Sequence, residues 1–220
     1  SLRQAILDSN SNCNNTVITF DWNALASSNI NLSATDAYSK IYVTSSQLPT
    51  INCNSLVIDG ITGNSNVDLL GTGGTVGVDK LILPKIKRPR ISIVDNGGFY
   101  QGLLIKANAV VVKGLAVHGF VDADIRVEAN TVNVNNNLIG VNPDNSIEPS
   151  NQSSLGVRVE NSSGVTVTTN LITQINDTCV ILMNSHNSSV ISNEASFCSK
   201  LTTTHDGIEF AWASSNNNYV

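Results

Sequence analysis

The sequence predicts an all-β chain wound as a right-handed parallel β-helix, a solenoid with one short helix capping its N-terminus. Three observations predict it. Apolar residues come in short Val/Ile/Leu runs punctuated by Asn, Gly and Ser, not at helical spacing. From residue 102 those runs recur in a common pattern. Asn returns where the runs stop, as a repeated bend requires. One domain is expected over 1–220, with 1–15 as a helical cap.

The cap comes first. Ser1 can accept from the first turn of a helix, and Gln4 stands where a capping box places Glu or Gln. Leu2, Ala5 and Ile6 share one face, and the Asn-rich stretch from Asn10 to Asn15 ends the helix. After Thr16 the runs VITF, KIYV, SLVIDG, ISIV, GLLI and VVVKGLAV are strand-sized.

The repeat is then explicit. Setting GLLIKAN, DIRVEAN, GVRVEN, CVILMN and GIEFAW in register puts Leu103, Ile125, Val157, Val180 and Ile208 in one column. Ile105, Val127, Val159, Leu182 and Phe210 fall two positions on, and the steps are 22, 32, 23 and 28 residues. A second column holds Val134, Val167 and Val190, with Asn137, Asn170 and Asn193 three positions later. Coils of this size have no core of their own, so each must stack on the next. Inward residues alternate along each strand, and stacked Asn amides can bond up the column. The longer steps require loops at 140–154 and 197–206. The register leaves SSNNNYV part-way through a coil, with Tyr219 starting a second strand. Either the solenoid continues, or a partner or second copy covers the open C-terminal coil.

Charged residues make up 13% of the chain, roughly half the usual ~25%. Neutral polar residues replace them, including 30 Asn. The 41% hydrophobic content, clustered in strands, argues against disorder. A net charge of −5 gives no reason to expect a nucleic-acid partner, and no run approaches the ~20 apolar residues of a membrane span. Cys13, Cys53, Cys179 and Cys198 have neither C-x-x-C metal nor redox spacing. They suit two local disulfides, Cys13–Cys53 and Cys179–Cys198, in an oxidising compartment; four buried thiols is the other reading. Glycosylation sequons stand at Asn14, Asn31, Asn151, Asn161, Asn176 and Asn187.

The N-terminal half of the chain resembles a family of bacterial secreted and surface β-helix proteins that opens with a (C)-S/T-L-R-E/Q-A-I motif. The residues that carry the resemblance are Ser1-Leu2-Arg3-Gln4-Ala5-Ile6, Ile18-Thr19-Phe20, Leu48-Pro49-Thr50-Ile51 and Ile58-Asp59-Gly60. Gly114–Val117 and Asn137–Gly140 resemble its later coils. No Cys precedes Ser1, and Gln4 replaces the commoner Glu. The resemblance implies a helix-capped, pectin-lyase-like architecture on an exported protein of adhesive or structural role. Kinship of such folds to polysaccharide enzymes is analogy alone.

The residues that could carry chemistry lie on the outward side of the repeat. Arg126, Arg158 and Glu209 share one column, and Lys106, Glu128 and Glu160 share the next. Arginines beside carboxylates can grip acidic sugars, and a carboxylate pair can do glycosidic acid/base work. The same residues also make an ordinary ladder of cross-strand ion pairs. Thr204-His205-Asp206-Gly207 resembles the N-T-D-G segment of polygalacturonase-type hydrolases, but the Asp pair, G-H-G and R-I-K of those enzymes do not accompany it. Asn142, Asp144, Asn145 and Glu148 read as a calcium loop or a plain turn. His118, His186 and His205 have no zinc spacing. Five of the twelve basic residues lie between Lys80 and Arg90, either as a patch for anionic glycans or a subunit, or as a solvated loop.

The expected function is a non-enzymatic extracellular or cell-surface β-helix with a structural or adhesive role, without cofactor or metal. Its expected partners are its own copies and glycans, with Lys106, Arg126 and Arg158 as the binding face. The alternative is a polysaccharide lyase or glycoside hydrolase working through Glu128, Glu160, Asp206 and Glu209. A glycan-binding module without turnover is a third reading.

Overall fold

The structure is a computed structural model that describes residues 1–21, 38–65, 67–147, 153–201, 206–211 and 215–220. These residues form one helix and a set of short strands, so the chain is all-β apart from its cap.

The helix spans Leu2–Ser11, with the Ser1 side chain accepting from the Gln4 N–H. Only half of the capping box forms, because the Gln4 amide turns forward to Asp8 at 2.8 Å. Leu2 and Ile6 are buried, as the helical spacing requires, and Ala5 packs beside them on the core.

Three parallel sheets carry the rest. The first holds Val17–Ile18, Val57–Asp59, Val111–Lys113, Asn133–Asn135, Thr166–Thr168 and Ser189–Ile191, paired in chain order. The second holds Ser39–Val43, Ile91–Asp95, Ala116–His118, Leu138–Ile139, Leu171–Thr173 and Glu194–Ser196. The third holds Gln101–Ile105, Ala123–Val127, Leu155–Glu160, Val180–Met183 and Ile208–Ala211. From Val111 the chain visits first, second and third sheet in rotation, adding one parallel strand to each on every pass.

The register agrees with the alternation in the sequence. Leu103, Ile125, Val157, Val180 and Ile208 are successive partners in the third sheet. Ile105, Val127, Val159, Leu182 and Phe210 are partners two positions on. Val134, Val167 and Val190 pair in the first sheet, and Tyr219 bridges to Ser189 beyond them. One buried cluster runs from Leu2 to Val190 through these columns. Each fully buried Ile, Leu or Val contributes about 1.5–3 kcal/mol relative to exposure, and none is buried without its neighbouring layers.

The bend from first to second sheet has a repeated cause. Gly114, Asn136, Thr169 and Ser192 each take a left-handed backbone at this corner. The ladder residues follow immediately: Asn137 Nδ2 donates to Asn170 Oδ1 at 3.1 Å, and Asn170 Nδ2 to Asn193 Oδ1 at 3.0 Å. The buried asparagines therefore serve through their amides, and the residue before each one makes the turn.

Two features depart from the expectation. Residues 61–65 and 67–90 form an arm with two antiparallel pairs, Leu69–Leu70 with Ile86–Lys87 and Thr75–Val76 with Leu81–Ile82. The arm lies over the outer face of the second sheet, where Leu70 and Ile86 bury Ala116, Leu138, Val141 and Leu171 in a second apolar cluster. The basic run is mostly structural: Lys87 Nζ donates to the Asn64 carbonyl, Arg88 to the Pro143 carbonyl, and Arg90 to Ser65. Lys80 and Lys85 stay exposed.

The cysteines are the other departure. Cys179 and Cys198 are bonded, with Cα atoms 5.5 Å apart. The bond expected between Cys13 and Cys53 is not made, and both are thiols. The Cys13 thiol instead donates to the Ser9 carbonyl at 3.2 Å.

Candidate functional site

The outward face of the third sheet gathers most of the charged candidates. Alternation puts Asp122, Arg126 and Glu128 on that face from one layer and Arg158 and Glu160 from the next. Arg126 and Arg158 are direct partners across the strands.

The Glu160 carboxylate lies between the two guanidinium groups. Oε1 accepts from Arg126 Nη2, and Oε2 meets Arg158 Nη2 at 2.6 Å and Nε at 2.7 Å. Asp122 closes the other side, with Oδ1 2.8 Å from Arg158 Nη1 and Oδ2 3.2 Å from Arg126 Nη1. Glu128 Oε1 lies 2.7 Å from Arg126 Nε, and its Oε2 lies 2.9 Å from Lys106 Nζ. Three cations thus meet three carboxylates. The Glu160 side chain is only 9% exposed, against 47% for Lys106 at the rim.

The electrostatics follow from the pairing. Burial pushes the Glu128 carboxyl up, but the hydrogen bond from Lys106 and the charges of Arg126 and Lys106 outweigh it, so it sits below its ordinary value. Burial likewise works against the Arg126 cation, yet the hydrogen bond and charge of Glu160 raise its pKa. A glycosidic general acid needs a carboxyl held protonated near neutrality. Glu128 is shifted the other way.

The remaining candidates are placed elsewhere. Ile181 stands between Arg158 and Glu209 in the column, so Glu209 is two layers, about 10 Å, from Arg158. Its Oε2 accepts from Thr178 at 3.1 Å. Asp206 is exposed ahead of the Ile208 strand. The four carboxylates Glu128, Glu160, Asp206 and Glu209 are therefore not one constellation. His205 and Glu148 lie outside the described residues, as do the sequon residues Asn31 and Asn151. Asn14, Asn161 and Asn187 are exposed, and Asn176 is half-buried.

The 142–146 segment is a turn: Asn145 N–H donates to the Asn142 carbonyl, and Asp144 Oδ1 accepts from Ser146 N–H and Oγ. Asn142 Oδ1 faces inward, to His118 Nε2 at 2.9 Å and Ser92 Oγ at 3.1 Å, while its Nδ2 donates to Ser146 Oγ at 3.1 Å. His186 meets Asn216 at 2.9 Å.

Two acids on this strand escaped the sequence reading. Asp122 ties both arginines, and the even-numbered series Asp122, Asp124, Arg126, Glu128 in VDADIRVE was the available signal. Asp124 shares their parity but is fully buried, and its Oδ2 has no hydrogen-bond partner among the described residues. Burial holds its pKa well above the usual carboxylate range, with the Asp95 charge adding to the rise; Ser153 and the Phe120 N–H oppose it.

The disulfide fits an oxidising, extracellular setting, and no helix among the described residues is long and apolar enough to cross a membrane. No family model, curated protein or solved structure matches this chain.

Proposed function

We propose that the chain is a right-handed parallel β-helix acting outside the cell or on its surface as a non-enzymatic structural or adhesive scaffold. The observation that carries this reading is the closed ion lattice of the third sheet. Asp122, Glu128 and Glu160 are each held by two cations, so their charge goes into joining layers. The rotation of the chain through three parallel sheets supports the fold, and the bonded Cys179–Cys198 pair supports the location. Glycans at Asn14, Asn161 and Asn187 would project from exposed positions.

Self-association through the last described layer belongs to the same proposal. Phe197, Leu201, Phe210 and Tyr219 are between 45% and 74% exposed there. A cleft of about 610 Å³ opens between the arm residues Leu81 and Ile82 and the layer residues Ile191 and Ile208. Exposed apolar surface around such a cleft favours contact with a second copy.

Two measurements test the reading. Incubation with acidic and neutral polysaccharides is expected to release neither reducing ends nor unsaturated products. Turnover that is lost in both Glu128→Gln and Glu160→Gln would overturn the non-enzymatic role. Light scattering across a hundredfold concentration range is expected to show rising mass, reduced by Ile82→Ser. A constant monomer mass would remove self-association.

A further inference from the structure

The thiols of Cys13 and Cys53 lie where the capping helix meets the first layers of the stack. Two hydrogen bonds fix that junction. Asn10 Nδ2 donates to the Thr50 carbonyl at 2.7 Å, and Asn10 Oδ1 accepts from the Asn52 N–H at 2.9 Å. Cys13 follows Asn10 by three residues, and Cys53 follows Asn52 directly, so the pinned helix end sets Cys13 beside Cys53. Their surroundings differ. Cys13 is exposed, whereas Cys53 is fully buried in the core cluster.

We infer that Cys13 and Cys53 form a thiol–disulfide exchange site, in which small disulfides react at Cys13 and Cys53 resolves the adduct into a bond that staples the cap to the stack. The inference does not depend on the scaffold reading. In the first step the Cys13 thiolate attacks one sulfur of a low-molecular-weight disulfide such as oxidised glutathione. A Cys13–glutathione bond forms, the glutathione S–S bond breaks, and one glutathione leaves as a thiolate that takes a proton from water. In the second step the Cys53 sulfur gives up its proton, attacks Cys13 Sγ and displaces the second glutathione, which leaves as a thiol carrying that proton. The two cysteines are oxidised, and one glutathione disulfide is reduced to two thiols.

The order of attack follows from access. An incoming disulfide reaches Cys13 from solvent and cannot reach Cys53. Burial first, then the hydrogen bond and charge of Cys13, push the Cys53 thiol up to about 11, so Cys13 and not Cys53 supplies the first attacking sulfur. The site also differs from the other pair. Cys179 is buried and already bonded, so Cys13 and Cys53 are the two thiols of the chain.

Intact-mass and peptide mapping of the full chain test the site. The protein is reduced with glutathione, exposed to oxidised glutathione, and quenched with iodoacetamide at intervals. A transient adduct on Cys13 is expected, followed by loss of two hydrogens and a Cys13–Cys53 cross-linked peptide. Cys53→Ser is expected to hold the adduct, and Cys13→Ser to form neither adduct nor bond. The oxidised wild type should melt roughly 5–10 °C above the reduced form, a difference absent in Cys13→Ser. An adduct that persists in the wild type, or first labelling at Cys53, overturns the inference. Should Cys53→Ser fail to fold, the exposed Cys13→Ser variant and the wild-type time course still decide it.

Discussion

Arg126 and Arg158 stand directly opposite each other on neighbouring parallel strands, and the Glu160 carboxylate joins them. Two like charges in register destabilise a sheet. Here Asp122 and Glu160 each reach both guanidinium groups, which converts a repulsive pair into an alternating ring.

Removing the central charge should expose that repulsion. Glu160→Gln is expected to lose about 2–4 kcal/mol of stability, because it leaves two half-buried cations with Asp122 as their one shared anion. Glu128→Gln, nearer the rim, should lose about 0.5–1 kcal/mol. Urea unfolding of both variants gives the comparison. Equal losses would mean that Glu160 has no special position.

Asp124 makes a prediction in pH. Its folded pKa is raised by burial, so the folded state holds the proton at a pH where the unfolded chain has released it. The contribution to stability is complete below the unfolded value, about 4, and falls as pH rises towards the folded value. Asp124→Asn stays neutral at every pH. Its melting temperature should exceed that of wild type at pH 7, with the gap closing towards pH 4. A gap that widens on acidification would reverse the assignment.

The Asn ladder should be intolerant at its centre. Asn170 accepts from the Asn137 N–H and amide, and donates to the Val134 carbonyl and to Asn193. Asn170→Ala strands several buried polar groups and is expected to cost about 3 kcal/mol or more. Asn193→Ala, at the edge of the ladder, should cost about 1 kcal/mol. Chemical denaturation of the pair would show the gradient, and a neutral Asn170→Ala would show the ladder to be ornamental.

Glycine positions divide in the same way. A Cβ on Gly140, at φ +97°, would lie 1.9 Å from the Thr173 carbonyl oxygen of the next layer. Gly140→Ala should cost about 3 kcal/mol or more. Gly74, at φ +77° on the exposed arm, has open space for 4 Å around the position a Cβ would take. Gly74→Ala should therefore cost about 1 kcal/mol, from backbone strain alone. Thermal melts of the two variants separate close approach from conformation.

Much of this architecture is legible in the sequence, because a strand side chain has only two directions. A period of two sorts Leu103, Ile125, Val157 and Val180 from Arg126 and Arg158, and one bend residue per pass sets the repeat. The alternation also places Arg126, Glu128, Arg158 and Glu160 on one face. It cannot say whether an outward face meets water. The doublets Ala116-Val117, Leu138-Ile139 and Leu171-Ile172 break the alternation because the arm covers their outer side, a signal visible only as apolar neighbours where a polar residue belongs. Only the tertiary structure decided that Asp122 bridges both arginines, that Asp124 is sealed from solvent, and that Cys13 and Cys53 are thiols, one exposed and one buried. Local periodicity encodes direction along one strand, whereas burial and charge pairing depend on which distant segment arrives on the other side.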